Sequence, residues 1–317
     1  MRKRASKVKA RKKLRRRGEV PVRDRFEYAA MRLVGGVIRA LPVAIGAAVM
    51  GRIWRVIGPR TQRHQRALCN LTLAFPELDP AERERIAVEQ WDNLGRTFAE
   101  TFVIDRIAAD PTRHELVVSA ELDARLRRQT GFVAASMHSA NWEVAAVPLH
   151  RYGRIAGLYQ QLSNRFSEAY VASSRRHVFN GGLFTKGLKT PGLIMQWLRE
   201  GNAIGVLVDS REARGIPVTA LGRPTLANPF PAMAARRLGI PLVAGRATRL
   251  PGSRFRLELV EIAVPVTDDP KADVSSATQA LTDQFDAWIR DRPGEWMWVQ
   301  NRWGEGSKKQ RPKAQRE

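Results

Sequence analysis

The chain has 317 residues, 44% of them apolar, which is enough for one large domain with a substantial core, and its formal net charge is +23. A single cysteine, Cys69, excludes an internal disulfide and a cysteine-based metal site, and the five histidines show no metal-ligand spacing. The charge is concentrated at the ends: residues 1–25 hold 13 Lys/Arg against 2 acids, and residues 308–317 hold 5 against 1.

Residues 1–25 therefore read as a basic, disordered arm suited to a polyanion, either an anionic membrane surface or nucleic acid. The modest charge of the middle and the lack of any recognition motif weigh against nucleic acid. No cleavable signal peptide is expected. Residues 26–58 follow, an apolar stretch interrupted by Arg32, Arg39, Arg52 and Arg55. Its longest charge-free run, 40–51, has 12 residues, short of the roughly 20 that a simple spanning helix needs. It predicts a segment lying in the membrane interface, anchored jointly with the arm; a helix pair buried in a soluble core, broken at Pro42, is the competing reading. Residues 61–110 read as amphipathic helices, with a break at Phe75-Pro76 and a restart at Pro80.

From about residue 115 the pattern changes. Apolar runs at 131–137, 154–159, 203–208, 240–248 and 255–264 alternate with helical windows at 141–150, 166–178, 191–200 and 228–238, and a last helix is expected over 280–295. This predicts an α/β fold with a central mixed, largely parallel sheet flanked by helices, behind the N-terminal membrane-associated segment.

Four stretches carry chemistry. In "GFVAASMHSANWEV" His138 stands where a buried strand ends and a helix begins, with Ser139 or Asn141 as candidate caps. Glu143 lies five residues on; a carboxylate folded back to the imidazole would fix its tautomer and leave the other nitrogen to deprotonate a hydroxyl. That suits acyl transfer from a thioester to an alcohol, a reaction with no need for an enzyme nucleophile or a metal; His138 as a helix cap or core group is the alternative. In 206–230 a strand ends at Asp209, whose side chain could face the same cleft, followed by Arg211, Arg214 and Arg223, candidates for holding phosphates. In 173–184, Arg176 precedes Gly181-Gly182, a pair able to present N–H groups to an anion or simply to turn the chain. In 294–304, Trp296, Trp298, Arg302 and Trp303 form an aromatic and cationic cluster, of which at least one tryptophan is expected in the core. No nucleophile elbow, Walker A or dinucleotide fingerprint occurs.

"SMHSANWE" resembles the active-site motif of the lipid A biosynthesis lauroyl/myristoyl acyltransferases, a branch of the lysophospholipid acyltransferase superfamily, and "GVLVDS", "TALGRPTLANPF" and "GEWMWVQNRW" follow in that family's order. The resemblance covers about residues 26–304. It implies a membrane-associated O-acyltransferase at the cytoplasmic face of the inner membrane, without a cofactor, with His138 as general base and Glu143 as its orienting partner. Asn141, Arg176, Asp209, Arg211, Arg214 and Arg223 are the candidate substrate-binding residues. The implied donor is a thioester of acyl carrier protein, an acidic partner for a basic surface, or of CoA. The implied acceptor is a lipid A precursor, with a lysophospholipid, an ornithine lipid or a glycosylated inositol lipid as alternatives. Three positions depart from the family pattern: Gln160 where arginine is common, Ser210 where glutamine is common, and Gln300 where histidine often precedes Asn-Arg-Trp. On this reading 59–304 is the acyltransferase domain and 305–317 a basic tail.

Overall fold

A computed structural model describes residues 21–304; most of the basic arm and the whole C-terminal tail lie outside the described residues. Where the alternating pattern predicts a parallel sheet, a seven-stranded sheet forms, in the order β1 (His114–Val117), β9 (Arg254–Ile262), β8 (Leu242–Leu250), β2 (Phe132–Ser136), β5 (Ala203–Leu207), β3 (Ile155–Tyr159), β4 (Leu183–Thr185). Strands β8, β2, β5, β3 and β4 are mutually parallel; β9 runs antiparallel to β8 and carries β1 parallel to itself at the edge. The central strands are buried on both faces, which is why they read as continuous apolar runs rather than alternating ones.

One face of the sheet packs Val133, Ala135, Met137, Ile204 and Val206 against α8 (Thr190–Arg199), α9 (Phe230–Leu238), α10 (Pro270–Asp291) and the buried Trp296 and Trp298. The other face packs Phe132, Ala134, Ile155, Val243 and Leu259 against α6 (Ala120–Leu126) and a 3₁₀ stretch, Val144–Tyr152. That stretch replaces the α-helix expected over 141–150. Pro148 lies inside it and has no N–H to donate to the carbonyl four residues back, so an α-helix cannot propagate through it.

Ahead of the sheet stand α1 (Val22–Ala40) and α2 (Val43–Ile57), broken at Leu41-Pro42, then α3 (Gln62–Ala74), α4 (Pro80–Thr101) and α5 (Ile104–Ala109). Helix α1 begins inside the segment assigned to the arm. Asp79 caps α4 by accepting the Glu82 N–H at 2.8 Å, with Pro80 opening the first turn as expected. Helices α2 and α4 cross at Gly95, where a Cβ would lie 2.5 Å from the Met50 carbonyl oxygen. Among the described residues no helix is long and apolar enough to cross a membrane.

Several short elements were not expected, α6 among them. Strands β1 and β4 are four and three residues long, too short to show a period. A separate hairpin, β6 (Ile216–Ala220) and β7 (Arg223–Ala227), turns at Leu221-Gly222, both at positive φ (48° and 75°), as a two-residue hairpin turn requires. The last helix, α10, starts at Pro270, capped by Asp269, ten residues ahead of its expected start.

Candidate active site

Strands β2 and β5 pair with Ser136 opposite Leu207. Two residues further on, with the same offset of 71 positions, stand His138 and Asp209. The parallel register thus brings both side chains to the same carboxyl edge of the sheet. His138 Nδ1 and Asp209 Oδ1 are 2.7 Å apart, and the His138 backbone N–H donates to Asp209 Oδ2 at 2.9 Å. The Trp296 indole N–H (2.8 Å) and the Gln300 amide (2.9 Å) donate to the same Oδ2. Asp209 is 1% exposed and the His138 side chain 19%. A buried carboxylate with four hydrogen bonds is in the condition that makes burial of a charge tolerable.

Burial alone would lower the His138 pKa; the charge and hydrogen bond of Asp209, with a further contribution from Glu143, outweigh it, and the imidazole stands above its ordinary 6.5. Burial would likewise raise Asp209, but the imidazole and the Gln300 amide hold the carboxyl well below the usual range, so it is ionised. With Nδ1–H committed to the carboxylate, the neutral ring keeps its lone pair on Nε2, which no described residue engages.

Glu143 is not the group that braces His138. Ala140 turns at φ 48°, and the chain beyond it carries Glu143 away to Arg175, whose guanidinium takes both carboxylate oxygens at 2.8 and 2.5 Å and lies over the Tyr159 ring. Glu143 still acts on His138 through its charge, and both line the same cavity.

The turn is held rigidly from behind. The Ala140 carbonyl accepts from Asn93 (3.2 Å) and Thr97 (2.8 Å) of α4, and its N–H donates to the Glu295 carbonyl at 3.1 Å. Asn141 is fully buried; its amide donates to Glu100 Oε2 at 3.0 Å, and its Oδ1 accepts the Glu143 N–H. Glu100, also fully buried, pairs with Arg249, which reaches Asn93 Oδ1 and Thr97 Oγ1 at 3.0 Å each. The C-terminal segment closes the remaining side: Met297 N–H donates to the His138 carbonyl at 3.0 Å, and Trp296 packs edge-on against Trp298 with centroids 4.6 Å apart. Ser210 and Gln300, two of the three departures from the family pattern, meet each other, the Ser210 hydroxyl donating to Gln300 Oε1 at 2.7 Å. Neither was connected to the other, or Gln300 to Asp209, by anything in the sequence.

His138 opens onto a cavity of about 730 Å³. Its floor crosses the sheet over small residues: Ala134 faces Gly205 and Gly205 faces Gly157 across adjacent strands, with Gly245 one pair away on β8. Leu149, Ile155, Leu257 and Leu259 form apolar walls, and Phe179 lies over Gly157, where a Cβ would come 2.8 Å from its ring. Across three strand spacings this groove runs about 14 Å. Polar groups of the cavity include Lys186, Ser210, Arg211 and Glu143.

Of the sequence candidates, His138, Glu143 and Arg211 line this cavity and Asp209 stands directly behind it. The other four lie elsewhere. Asn141 sits behind the turn, Arg223 donates to the Leu73 carbonyl at 2.7 Å, and Arg176 and Arg214 are exposed outside the cavity. The Gly181-Gly182 pair is a turn, its Gly181 N–H already bonded to the Ile155 carbonyl at 2.8 Å, so it presents no free nest to an anion. Arg175, Lys186 and the cavity floor carried no signal that the sequence reading used. No cluster of three His, Cys, Asp or Glu side chains able to hold a metal occurs among the described residues.

A histidine–carboxylate pair at the rim of an apolar groove long enough for a hydrocarbon tail has the parts that transfer of an acyl chain requires. Residues 23–305 match the bacterial lipid A biosynthesis acyltransferase family, and the chain belongs to it. Two phosphatidylinositol mannoside acyltransferases, from two strains of Mycobacterium tuberculosis, are similar to it. One is 25% identical over 220 residues, covering 67% of this chain and 68% of the relative. The other is 26% identical over 186 residues, covering 57% of each.

Proposed function

We propose that the protein moves a fatty acyl chain from an acyl-carrier-protein or CoA thioester to a hydroxyl of an anionic glycolipid, with His138 as general base and Asp209 as the group that orients and charges it. The observation that carries this reading is the His138–Asp209 pair with a free Nε2 at the mouth of the apolar groove. Nε2 takes the proton of the acceptor hydroxyl, whose oxygen attacks the thioester carbonyl carbon. The tetrahedral intermediate collapses by expelling the thiolate, and the proton returns from Nε2–H to the sulfur. Asp209 stabilises the imidazolium formed on the way. Glu143 adds negative potential from a distance and fixes Arg175 on the cavity wall. Lys186 and Arg211 supply positive charge for the phosphates of donor and acceptor, and the groove over Gly205 and Gly157 holds the acyl chain.

The acceptor is either a lipid A precursor, in keeping with the family, or a glycosylated inositol lipid. The similarity to phosphatidylinositol mannoside acyltransferases and the departures at Gln160, Ser210 and Gln300 favour the second.

The enzyme works on the cytoplasmic face of the inner membrane, lying on it through α1 and α2. Val22, Phe26, Leu33 and Val37 recur along one side of α1, and Ile45, Val49, Ile53 and Val56 along one side of α2, all exposed. The start of α1 is tied to the cavity rim, since Asn164 donates to the Asp24 carbonyl at 2.8 Å and Phe166 packs on Tyr28. A lipid acceptor lying in the same plane would reach His138 along that rim.

The test is transfer by the purified protein from a carrier-protein thioester to a panel of a tetra-acylated disaccharide precursor, mannosylated phosphatidylinositol and a lysophospholipid, read by mass spectrometry. Product on a glycolipid that disappears in His138→Ala is expected. Wild-type product formation by His138→Ala would overturn the mechanism, and product on the lysophospholipid alone would overturn the acceptor class.

A further inference from the structure

A second depression, of about 230 Å³, lies apart from the catalytic groove, between α1, α5 and the C-terminal end of α7 (Arg165–Arg175). Arg32, Gly36, Ser173, Tyr170 and His177 form its mouth and walls, and the Arg39–Asp105 pair closes one side. That pair is internally neutral: Arg39 takes both Asp105 oxygens at 2.8 Å. Arg32 has no carboxylate partner among the described residues. Its guanidinium is held between the rings of Tyr28 and Tyr170, 5.8 and 5.7 Å from their centroids, and it donates to the Tyr28 hydroxyl at 3.0 Å. The side chains of Ser173 and His177 have no hydrogen-bond partner among the described residues. The pocket therefore presents an uncompensated, pre-positioned cation together with a hydroxyl and an imidazole. Gly36 lines it, and a Cβ there would stand in open space with nothing within 4 Å, so a side chain at this position has room to occupy the depression.

Its place on α1 identifies the ligand. At about 100° per residue, Arg32 stands a quarter-turn from Leu33 of the apolar stripe, and Gly36 lies between the two directions. If the stripe rests among acyl chains, this pocket opens at the level of the headgroups. We propose that it binds the phosphate of an anionic phospholipid headgroup, fixing the rotation of α1 on the bilayer. The inference rests on the reading that the α1–α2 stripe lies on a membrane.

The experiment is binding of the full chain to vesicles of phosphatidylcholine alone and of phosphatidylcholine with 30 mol% phosphatidylglycerol. The variants are Arg32→Gln, Gly36→Gln, which fills the pocket without changing charge, and Arg25→Gln, which removes an equivalent charge about two turns away on the same side of α1. Arg25→Gln is expected to weaken binding to the anionic vesicles about fivefold, the loss for one basic residue near the surface. Arg32→Gln is expected to weaken it about fiftyfold, because charge-assisted hydrogen bonds to the phosphate go as well. Gly36→Gln is expected to weaken it about tenfold on the same ground. Binding to phosphatidylcholine alone, whose phosphate is balanced by its own choline cation, stays unchanged in all three. Equal losses in Arg32→Gln and Arg25→Gln, with Gly36→Gln like wild type, would overturn the site in favour of diffuse attraction. A wild-type chain stabilised against heat by soluble glycerol phosphate, with equal vesicle losses in Arg32→Gln and Arg25→Gln, would overturn it in favour of a free-phosphate site. Failure of the wild type to bind either vesicle would sink the membrane reading itself, and this inference with it.

Discussion

The turn at His138 and the helix pair α1–α2 break the inside-out rule in opposite ways. Around the turn, polar and charged groups are buried: Asp209, Glu100, Asn141 and Asn93 are nearly or wholly inaccessible. Each finds its partner within the chain, so the region is complete by itself. On α1 and α2, large apolar side chains such as Phe26 and Leu33 are exposed, and no described residue covers them. The first region holds a geometry in place; the second presents an apolar face of the kind that marks an interaction surface.

The sharpest way to break this contrast is His138→Ala. Asp209 would keep three of its hydrogen bonds, from Trp296, Gln300 and the backbone at 138, so the fold should persist while turnover falls about 10²–10⁴-fold. Unchanged turnover in the folded variant would show that His138 is not the base.

Asp209→Asn should cost about a hundredfold, and it carries a pH signature. In the wild type kcat/KM should rise with pH and level off with a midpoint above 6.5, because the neutral imidazole is the active form and its pKa is raised. Removing the carboxylate leaves burial, which lowers that pKa, so the midpoint should move to lower pH. The pair also contributes stability: the depressed Asp209 gives it above 3.8, lost as pH falls further, and the raised His138 gives it below 6.5, lost as pH rises through the raised value. The gap in melting temperature between wild type and Asp209→Asn should therefore be widest between those two values.

On the other side of the comparison, Leu33→Ser combined with Ile53→Ser should lower vesicle binding about thirtyfold, since partial insertion of each side chain is worth about 1 kcal/mol. Calorimetric stability in solution should not fall, because both residues are already exposed. A clear loss of stability would mean that the stripe packs against something in the chain.

The smallest effect is expected at the end of the groove. Phe179→Ala uncovers Gly157 and Gly205, so the preference for longer acyl chains should grow a few-fold, at a stability cost of about 2 kcal/mol. An unaltered chain-length profile would place the acyl chain elsewhere.

Much of this contrast was legible in the residues. The apolar runs marked β2, β3, β5, β8 and β9, and the arginine-interrupted stretch marked α1 and α2, because buried strands and amphipathic helices leave periodic traces. The brace on His138 did not. Glu143 was near in sequence, whereas Asp209 lies 71 residues away and meets His138 only through the register of β2 on β5. The position of Asp209 at a strand end points to the same cleft, but its contact with the imidazole depends on which strands pair. The positive φ at Ala140, which sends Glu143 to Arg175, leaves no mark in composition, since the residue there is alanine rather than glycine or asparagine. Arg223 illustrates the reverse error: a basic loop looks like a phosphate site until its guanidinium is seen holding a backbone carbonyl.

Trp296 and Gln300 reach Asp209 from the last stretch of the described chain, and Met297 reaches the His138 backbone. During synthesis, then, the imidazole and its carboxylate emerge long before the indole and amide that seat them. A ribosome-bound or proteolytically shortened chain ending near Pro293 would display the histidine motif yet lack the seat beneath it, so the enzyme would become competent only as its tail docks.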